Sequence, residues 1–234
     1  QYNKWNMKFY EGTKIIHSKN LSTIYFIGDS HVGHYGSVIT QLSEKKESNW
    51  IMHPQGSGLK LIRKDMKEFV LAPLREYKNK FKKGDVIVFA ARDDKYFKNG
   101  QDWTKLYSSF IRQTKNIGMK FILISPTPTF SGMQGGYICQ EEWFRPRWVI
   151  SPLCIKEVNK KKWLASKFVP IKRIEKFLLA NPQVSYVDTF SILCPDKYCK
   201  NHDQNKLMYK DNYHLNGYGA MKLSKIIENS ILLK

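Results

Sequence analysis

Short apolar runs rich in β-branched and aromatic residues alternate along this chain with longer stretches of helical period, and that alternation restricts the fold more than any other feature. The runs are Thr23 to Ile27, Trp50 to Met52, Val86 to Ala90, Phe121 to Ile124 and Val184 to Val187. Between them, Val38 to Lys45, Met66 to Phe81, Trp103 to Ile117 and Ile171 to Ala180 carry apolar residues at helical spacing. The last stretch, Gly219 to Leu232, places Ala220, Leu223, Ile226, Ile227 and Ile231 on one face and predicts a closing amphipathic helix. Strands that alternate with helices form βαβ units, whose strands lie parallel in a sheet covered on both faces. The fold class expected is therefore α/β, with roughly five parallel strands.

Three segments stand apart from this rhythm. Residues 126–170 carry Pro126, Pro128, Pro146, Pro152 and Pro170 among glycines and tryptophans, and are read as a long irregular insertion. Residues 189–213 are read as a second loop, and residues 1–22 as an N-terminal extension that adds an edge element. With 234 residues, 42% of them hydrophobic, and no internal repeat or linker, the chain is expected to form one domain. No apolar run approaches the ~20 residues that span a bilayer. Gln1 to Tyr10 has neither the apolar core nor the small-residue cleavage pattern of a signal peptide. The missing initiator Met marks an excised fragment or a mature form.

Lys and Arg number 39 against 20 Asp and Glu, a formal charge of +19 that calls for an anionic partner. The lysines are scattered as pairs and triplets, such as Lys45-Lys46, Lys82-Lys83 and Lys160-Lys161-Lys162, and form no basic helix or arginine-rich arm. Nucleic acid is therefore not the expected partner; an anionic membrane surface or an acidic polysaccharide remains. Cys139, Cys154, Cys194 and Cys199 lack C-x-x-C spacing and an accompanying histidine cluster, so no metal site is expected of them. Pairing each with its neighbour, Cys139 with Cys154 and Cys194 with Cys199, would imply an oxidising compartment. Four reduced cysteines in a cytosolic protein is the other reading.

The chemistry resides in two short motifs at opposite ends. Ile24-Tyr25-Phe26-Ile27-Gly28-Asp29-Ser30-His31 puts Ser30 just after a buried strand, where open parallel sheets gather their active groups. Gly28 permits a tight turn, and backbone N–H groups opening the next helix can face an oxyanion. A serine hydroxyl needs a base to take its proton, and Asp211-Asn212-Tyr213-His214, just before the last helix, supplies one. There Asp211 can hold the ring of His214 through one nitrogen while the other faces Ser30. Either motif alone is commonly a turn or a helix cap; their conjunction in one chain is much rarer. His31 and His34 border Ser30 and are candidate substrate contacts, whereas His17, His53 and His202 read as structural or solvated.

Gly28-Asp29-Ser30-His31 and Asp211-x-x-His214 resemble the first and last conserved blocks of the SGNH/GDSL hydrolase superfamily. The resemblance implies a three-layer flavodoxin-like fold and a Ser30, Asp211, His214 triad. The stretch Cys139-Gln140-Glu141-Glu142-Trp143-Phe144-Arg145-Pro146 up to Cys154, then Cys194 to Cys199, then Tyr209-x-Asp211-x-x-His214-Leu215-x-x-x-Gly219-Ala220, is similar to the periplasmic SGNH domain fused to membrane acyltransferases that O-acetylate bacterial surface polysaccharides such as O-antigen. This resemblance accounts for both cysteine pairs and for the missing start. It implies a domain tethered at the inner membrane, no cofactor, an acetyl donor delivered by the fused membrane domain, and a polysaccharide acceptor.

Superfamily members also place a Gly after the second strand and an Asn after the third, both donating to the oxyanion. Gly56 and Gly58 fit the first place, but the third strand is followed by Ala91-Arg92-Asp93, with no Asn. One such donor is worth roughly 3 kcal/mol in the transition state, so either Arg92 substitutes, which is the preferred reading, or the N–H of Ser30 and one glycine hold the oxyanion alone. Trp143 heads an aromatic group with Phe144, Trp148 and Trp163 that would either make a platform for a sugar ring or, equally, pack as part of a core. The alternatives are a carbohydrate O-acetylesterase, which shares the acyl-enzyme, and a catalytically weak module that binds anionic glycan.

Overall fold

Side chains at period two in a strand point to opposite faces, and the central apolar runs use both. The computed structural model describes residues 13–54, 74–90, 102–133, 154–204 and 206–232. In chain order the elements are β1 (Thr13–Ile15), β2 (Thr23–Gly28), α1 (Gly36–Ser43), β3 (Asn49–Pro54), β4 (Val86–Ala90), α2 (Trp103–Thr114) and β5 (Lys120–Ile124). Then come β6 (Glu157–Asn159), α3 (Lys160–Ser166), α4 (Phe168–Ala180), β7 (Val184–Val187), α5 (Thr189–Leu193), β8 (Tyr198–Lys200), β9 (His202–Asp203), β10 (Lys206–Leu207), α6 (Gly217–Met221) and α7 (Ser224–Leu232).

All six residues of β2 are buried. Ile24 and Phe26 pack into one cluster with Val38, Ile39, Ile227 and Ile231, from α1 and α7. Tyr25 and Ile27 pack into the opposite cluster with Tyr107, Phe110, Ile174 and Phe177, from α2 and α4. Three layers result, with the sheet in the middle, as the alternation of strands and helices predicts.

The sheet runs β1-β3-β2-β4-β5-β7. β2, β3, β4, β5 and β7 are parallel, the five strands expected, and β1 adds an antiparallel edge through Thr13 to Met52 and Ile15 to Trp50. The N-terminal extension thus contributes an edge element. Without β1 the order is the flavodoxin-like one, and the connection reverses direction across β2. A crevice opens outside the carboxyl end of the strand at such a switch point, which is where Gly28-Asp29-Ser30 begins.

Two expectations need correction. The irregular insertion does not extend to 170, because β6, α3 and the start of α4 occupy residues 157–170. Pro170, counted among the prolines of the irregular insertion, lies in the first turn of α4, where a missing N–H costs no intrahelical bond. The final helix is also not continuous: α6 ends at Met221 and α7 starts at Ser224. In the region read as the second loop, the Cys194–Cys199 disulfide joins the C-cap residue of α5 to the middle of β8. Cys154 is disulfide-bonded as well, and the expected partner, Cys139, lies outside the described residues.

Two constraints hold β2 in place. The buried carboxylate of Asp85 accepts from Thr23 N–H at 2.8 Å and from Lys82 N–H at 2.9 Å, tying the start of β2 to the start of β4. At the other end, Gly28 pairs with Ala90, and a Cβ at Gly28, whose φ is +156°, would lie 1.8 Å from the carbonyl oxygen of Ala90. Only glycine permits this approach. Gly28→Ala is therefore expected to destabilise the fold by more than about 3 kcal/mol, measured as a lower denaturant midpoint, whereas a near-normal midpoint would show that the two strands can part at this point.

Candidate active site

The central strand delivers Ser30. After Gly28, Asp29 adopts an extended conformation, and its carboxylate accepts the His31 N–H at 2.9 Å, capping a 3-10 turn over Ser30–Tyr35. The Val32 N–H bonds the Asp29 carbonyl at 3.0 Å. Ser30 is thereby the first residue of the turn and partly exposed, whereas Asp29 beside it is buried. The expected helix entry is thus a 3-10 turn that continues into α1 at Gly36.

His214 arrives on a loop closed at its base. Tyr209 and Leu215 form an antiparallel bridge, with Lys210 N–H on the His214 carbonyl and Asn216 N–H on the Met208 carbonyl, both at 2.9 Å. Inside the loop, one carboxylate oxygen of Asp211 accepts the N–H groups of Tyr213 at 2.9 Å and His214 at 2.8 Å. Such an Asx-type turn, formed by local side-chain bonding rather than by helix, is what puts residues three apart on one side. Phe130 braces the loop from outside: its N–H donates to the Asn212 carbonyl at 2.9 Å, and its ring meets that of Tyr209 edge-on at 4.9 Å. Just beyond, the Asn216 side chain caps α6 through Gly219 N–H at 2.9 Å. A Cβ at Gly219 would approach the Met208 carbonyl oxygen to 2.2 Å, so glycine lets the helix sit against the loop.

These two pieces, 184 residues apart in sequence, meet. Ser30 Oγ lies 2.9 Å from His214 Nε2, and His214 Nδ1 lies 2.7 Å from Asp211 Oδ2 and 2.9 Å from Oδ1. Hydroxyl, imidazole and carboxylate thus form an unbroken chain, the arrangement in which a base can take a hydroxyl proton while a carboxylate orients the base. Burial alone would raise the carboxyl pKa of Asp211. The hydrogen bond and positive charge of His214, together with the two backbone donors, outweigh that and bring it down to about 2.

The sequence reading did not bring out a group of three imidazoles. A 3-10 turn eclipses residues i and i+3, so His31 and His34 overlap, with ring centroids 4.4 Å apart. Their rings stand 5.3 Å and 5.2 Å from that of His214. The signal available was the three-residue spacing just after Ser30. His31, expected at the substrate, is only 4% exposed and packs behind the base. Burial, followed by the charges of His31, His214 and Lys210, pushes His34 well below the usual histidine range, so it is neutral.

Trp163 does not belong to an exposed aromatic platform. It is 6% exposed and stacks on Phe190 at 4.7 Å, with its indole N–H on Thr129 Oγ1 at 3.2 Å. Gly56, Gly58, Arg92 and Trp143 lie outside the described residues.

The lowered pKa of Asp211 has a thermodynamic consequence. A carboxylate whose pKa is depressed on folding stabilises the protein above its unfolded value of about 3.9, and that contribution disappears as pH falls through the folded value. For Asp211 the window is from about pH 4 to about pH 2, and the stability involved is about 2 kcal/mol. Denaturant midpoints across that window should fall less steeply in Asp211→Asn than in the wild type; parallel curves would show that the carboxylate is not held in this way.

With the geometry established, comparison with known proteins is informative. The profile of the SGNH domain (fused to AT3 domains) matches residues 4–229. No curated protein matches the sequence. A protein from Slackia heliotrinireducens assigned as an SGNH hydrolase superposes with a TM-score of 0.56 at 11% identity, over 91% of this chain and 100% of its own. A GDSL-like lipase from Bacteroides thetaiotaomicron gives 0.52 at 17% identity, over 99% and 97%. The periplasmic domain of a lipopolysaccharide acetyltransferase from Salmonella serovar Paratyphi A gives 0.56 at 15% identity, over 92% and 85%. At these identities the superpositions establish a shared fold, while the profile covers nearly the whole chain. The chain belongs to the SGNH domain family whose members are fused to AT3 domains.

Proposed function

We propose that this domain transfers an acetyl group, through an acyl-enzyme on Ser30, to a hydroxyl of a bacterial cell-surface polysaccharide of the O-antigen type. The observation that carries the reading is the continuous contact of Ser30, His214 and Asp211 at the switch point of the sheet. Ser30 Oγ attacks the acetyl carbonyl as its proton passes to His214 Nε2. The tetrahedral intermediate expels the donor, which takes that proton from His214. The acceptor hydroxyl then attacks the acetyl-serine, giving its proton to the same nitrogen, and Ser30 leaves with it. Asp211 stays ionised throughout and stabilises the imidazolium. The N–H groups of His31 and Val32 are committed to Asp29, so the N–H of Ser30 is assigned to the oxyanion, with Arg92 and Gly56 or Gly58 as its further donors.

The donor arm of the reading rests on the family's fusion to AT3 domains, a membrane acyltransferase partner that would bring acetyl groups to the periplasmic face. No helix among the described residues is long and apolar enough to cross a membrane, so the tether would belong to that partner domain. The family's fusion to AT3 domains favours transfer over hydrolysis, and a disulfide between Cys194 and Cys199 suits an oxidising compartment.

Incubation with an activated acetyl ester should add one acetyl group to Ser30, detected by mass spectrometry, and Ser30→Ala should show none. An adduct that persists in Ser30→Ala ends the assignment. His214→Ala should reduce turnover roughly a thousandfold or more with folding intact, and near-normal rates would remove His214 as the base. Acetylated polysaccharide in the presence of acceptor marks a transferase; acetate alone marks an esterase.

A further inference from the structure

Of the three imidazoles at the site, His34 has no part in the triad. It is 1% exposed, and among the described residues neither of its ring nitrogens has a hydrogen-bond partner. Buried polar groups are nearly always satisfied, and a neutral imidazole carries one donor and one acceptor nitrogen. An orphaned ring that faces two other imidazoles is the environment of a missing ligand.

The geometry identifies what kind. One nitrogen each of His31, His34 and His214 can be chosen so that all three lie within 4.8 Å of one another. In a tetrahedral site with metal to nitrogen distances of about 2.0–2.1 Å, neighbouring imidazole centroids stand about 5 Å apart and their ligating nitrogens about 3.4 Å apart. The observed centroid spacings of 4.4, 5.2 and 5.3 Å already match. On binding, the nitrogens, now within 4.8 Å of one another, would close to about 3.4 Å. Ser30 and His214 are partly exposed and provide the way in.

We propose that His31, His34 and His214 form a binding site for a divalent transition metal of the zinc class, and that occupancy switches the active site off. His214 has no spare nitrogen: Nε2 meets Ser30 and Nδ1 meets Asp211. Coordination uses an imidazole lone pair, so whichever nitrogen ligates, one of the two hydrogen bonds is lost. Through Nε2 the metal would occupy the lone pair that takes the serine proton. Binding rests on geometry alone, whereas the switching rests on the acyl-transfer reading.

The test uses protein stripped of metal by a chelator, titrated with zinc against a chromophoric competitor, with ester hydrolysis followed in parallel. One zinc per chain is expected, cobalt in its place should give the strong visible bands of a four-coordinate ion, and hydrolysis should fall in step with occupancy and return on chelation. His34→Gln should weaken binding by at least the ~10- to 100-fold that even an outer-shell change produces, and its hydrolysis should no longer respond to zinc. Ser30→Ala keeps all three imidazoles and releases His214 Nε2, so it should bind zinc at least as tightly as the wild type, even if His34→Gln fails to fold. Absence of stoichiometric zinc binding, or undiminished binding by His34→Gln, overturns the site. Zinc bound at the site with hydrolysis undisturbed overturns the switch. Zinc binding by a protein with no hydrolytic activity when metal-free upholds the site and removes the acyl-transfer reading instead.

Discussion

Much of this structure depends on the close approach of Gly28 to the carbonyl of Ala90 in the centre of the sheet. β2 is the strand at which the connections reverse, flanked by β3 on one side and β4 on the other. It can end in register with both neighbours only if its last residue carries no side chain. The next two residues then emerge at the mouth of the crevice, Asp29 turning inward to cap and Ser30 outward to meet His214. A bulkier residue at position 28 would push the strands apart at the point where the serine's position is set, so packing and site geometry are one constraint.

The second half of the site is held by different means. Asp211 and His214 lie on a loop, yet that loop has little freedom. The Tyr209 to Leu215 bridge closes its base, the Asp211 carboxylate organises its interior, and Phe130 braces its back. Asn201, fully buried, ties the neighbouring chain: its side chain donates to the Cys154 carbonyl at 2.7 Å and accepts from the Lys156 N–H at 2.9 Å, while its carbonyl accepts from Met208 N–H. An imidazole on so restricted a loop loses little entropy in meeting the Ser30 hydroxyl, which is the advantage of a preorganised arrangement. The carboxylate of Asp211 serves twice, as a local staple for the turn and as the partner of the imidazole, and its pKa of about 2 reflects both.

The buried imidazoles add tension to this arrangement. His31 and His34 pack behind His214 where aliphatic side chains would fill the same space without burying polar nitrogens. Among the described residues the two nitrogens of His34 have no hydrogen bond, and beside the ring of His214 they carry a desolvation cost that the contact of Ser30, His214 and Asp211 does not offset. Cores that retain such groups commonly do so where function, rather than stability, decides the residue.

Much was legible in the sequence because it is encoded locally. The short β-branched and aromatic runs located the five parallel strands to within a residue or two, and the turn residues around Gly28 and Asp211 marked the ends of the elements that carry Ser30 and His214. Pro170 misled because proline forbids the interior of a helix but not its first turn, and which of these a proline occupies depends on where the helix starts. The final helix was read as continuous because Ala220 and Leu223 fit one apolar stripe, which does not report a break in the backbone between them. For Trp163 the sequence left platform and core packing both open, because composition does not distinguish a buried indole from an exposed one; its burial decides for packing.

By itself the sequence determined the fold class, the positions of the central strands and the residue types available for chemistry, all of which follow from composition of short runs and local backbone preference. Only the tertiary structure decided that a hydroxyl and an imidazole 184 residues apart stand 2.9 Å from each other, and that His31 and His34 close on the same imidazole. The physical reason is that such distances are set by the pairing of strands and the packing of two core faces, to which every buried side chain contributes and of which no short segment carries a record.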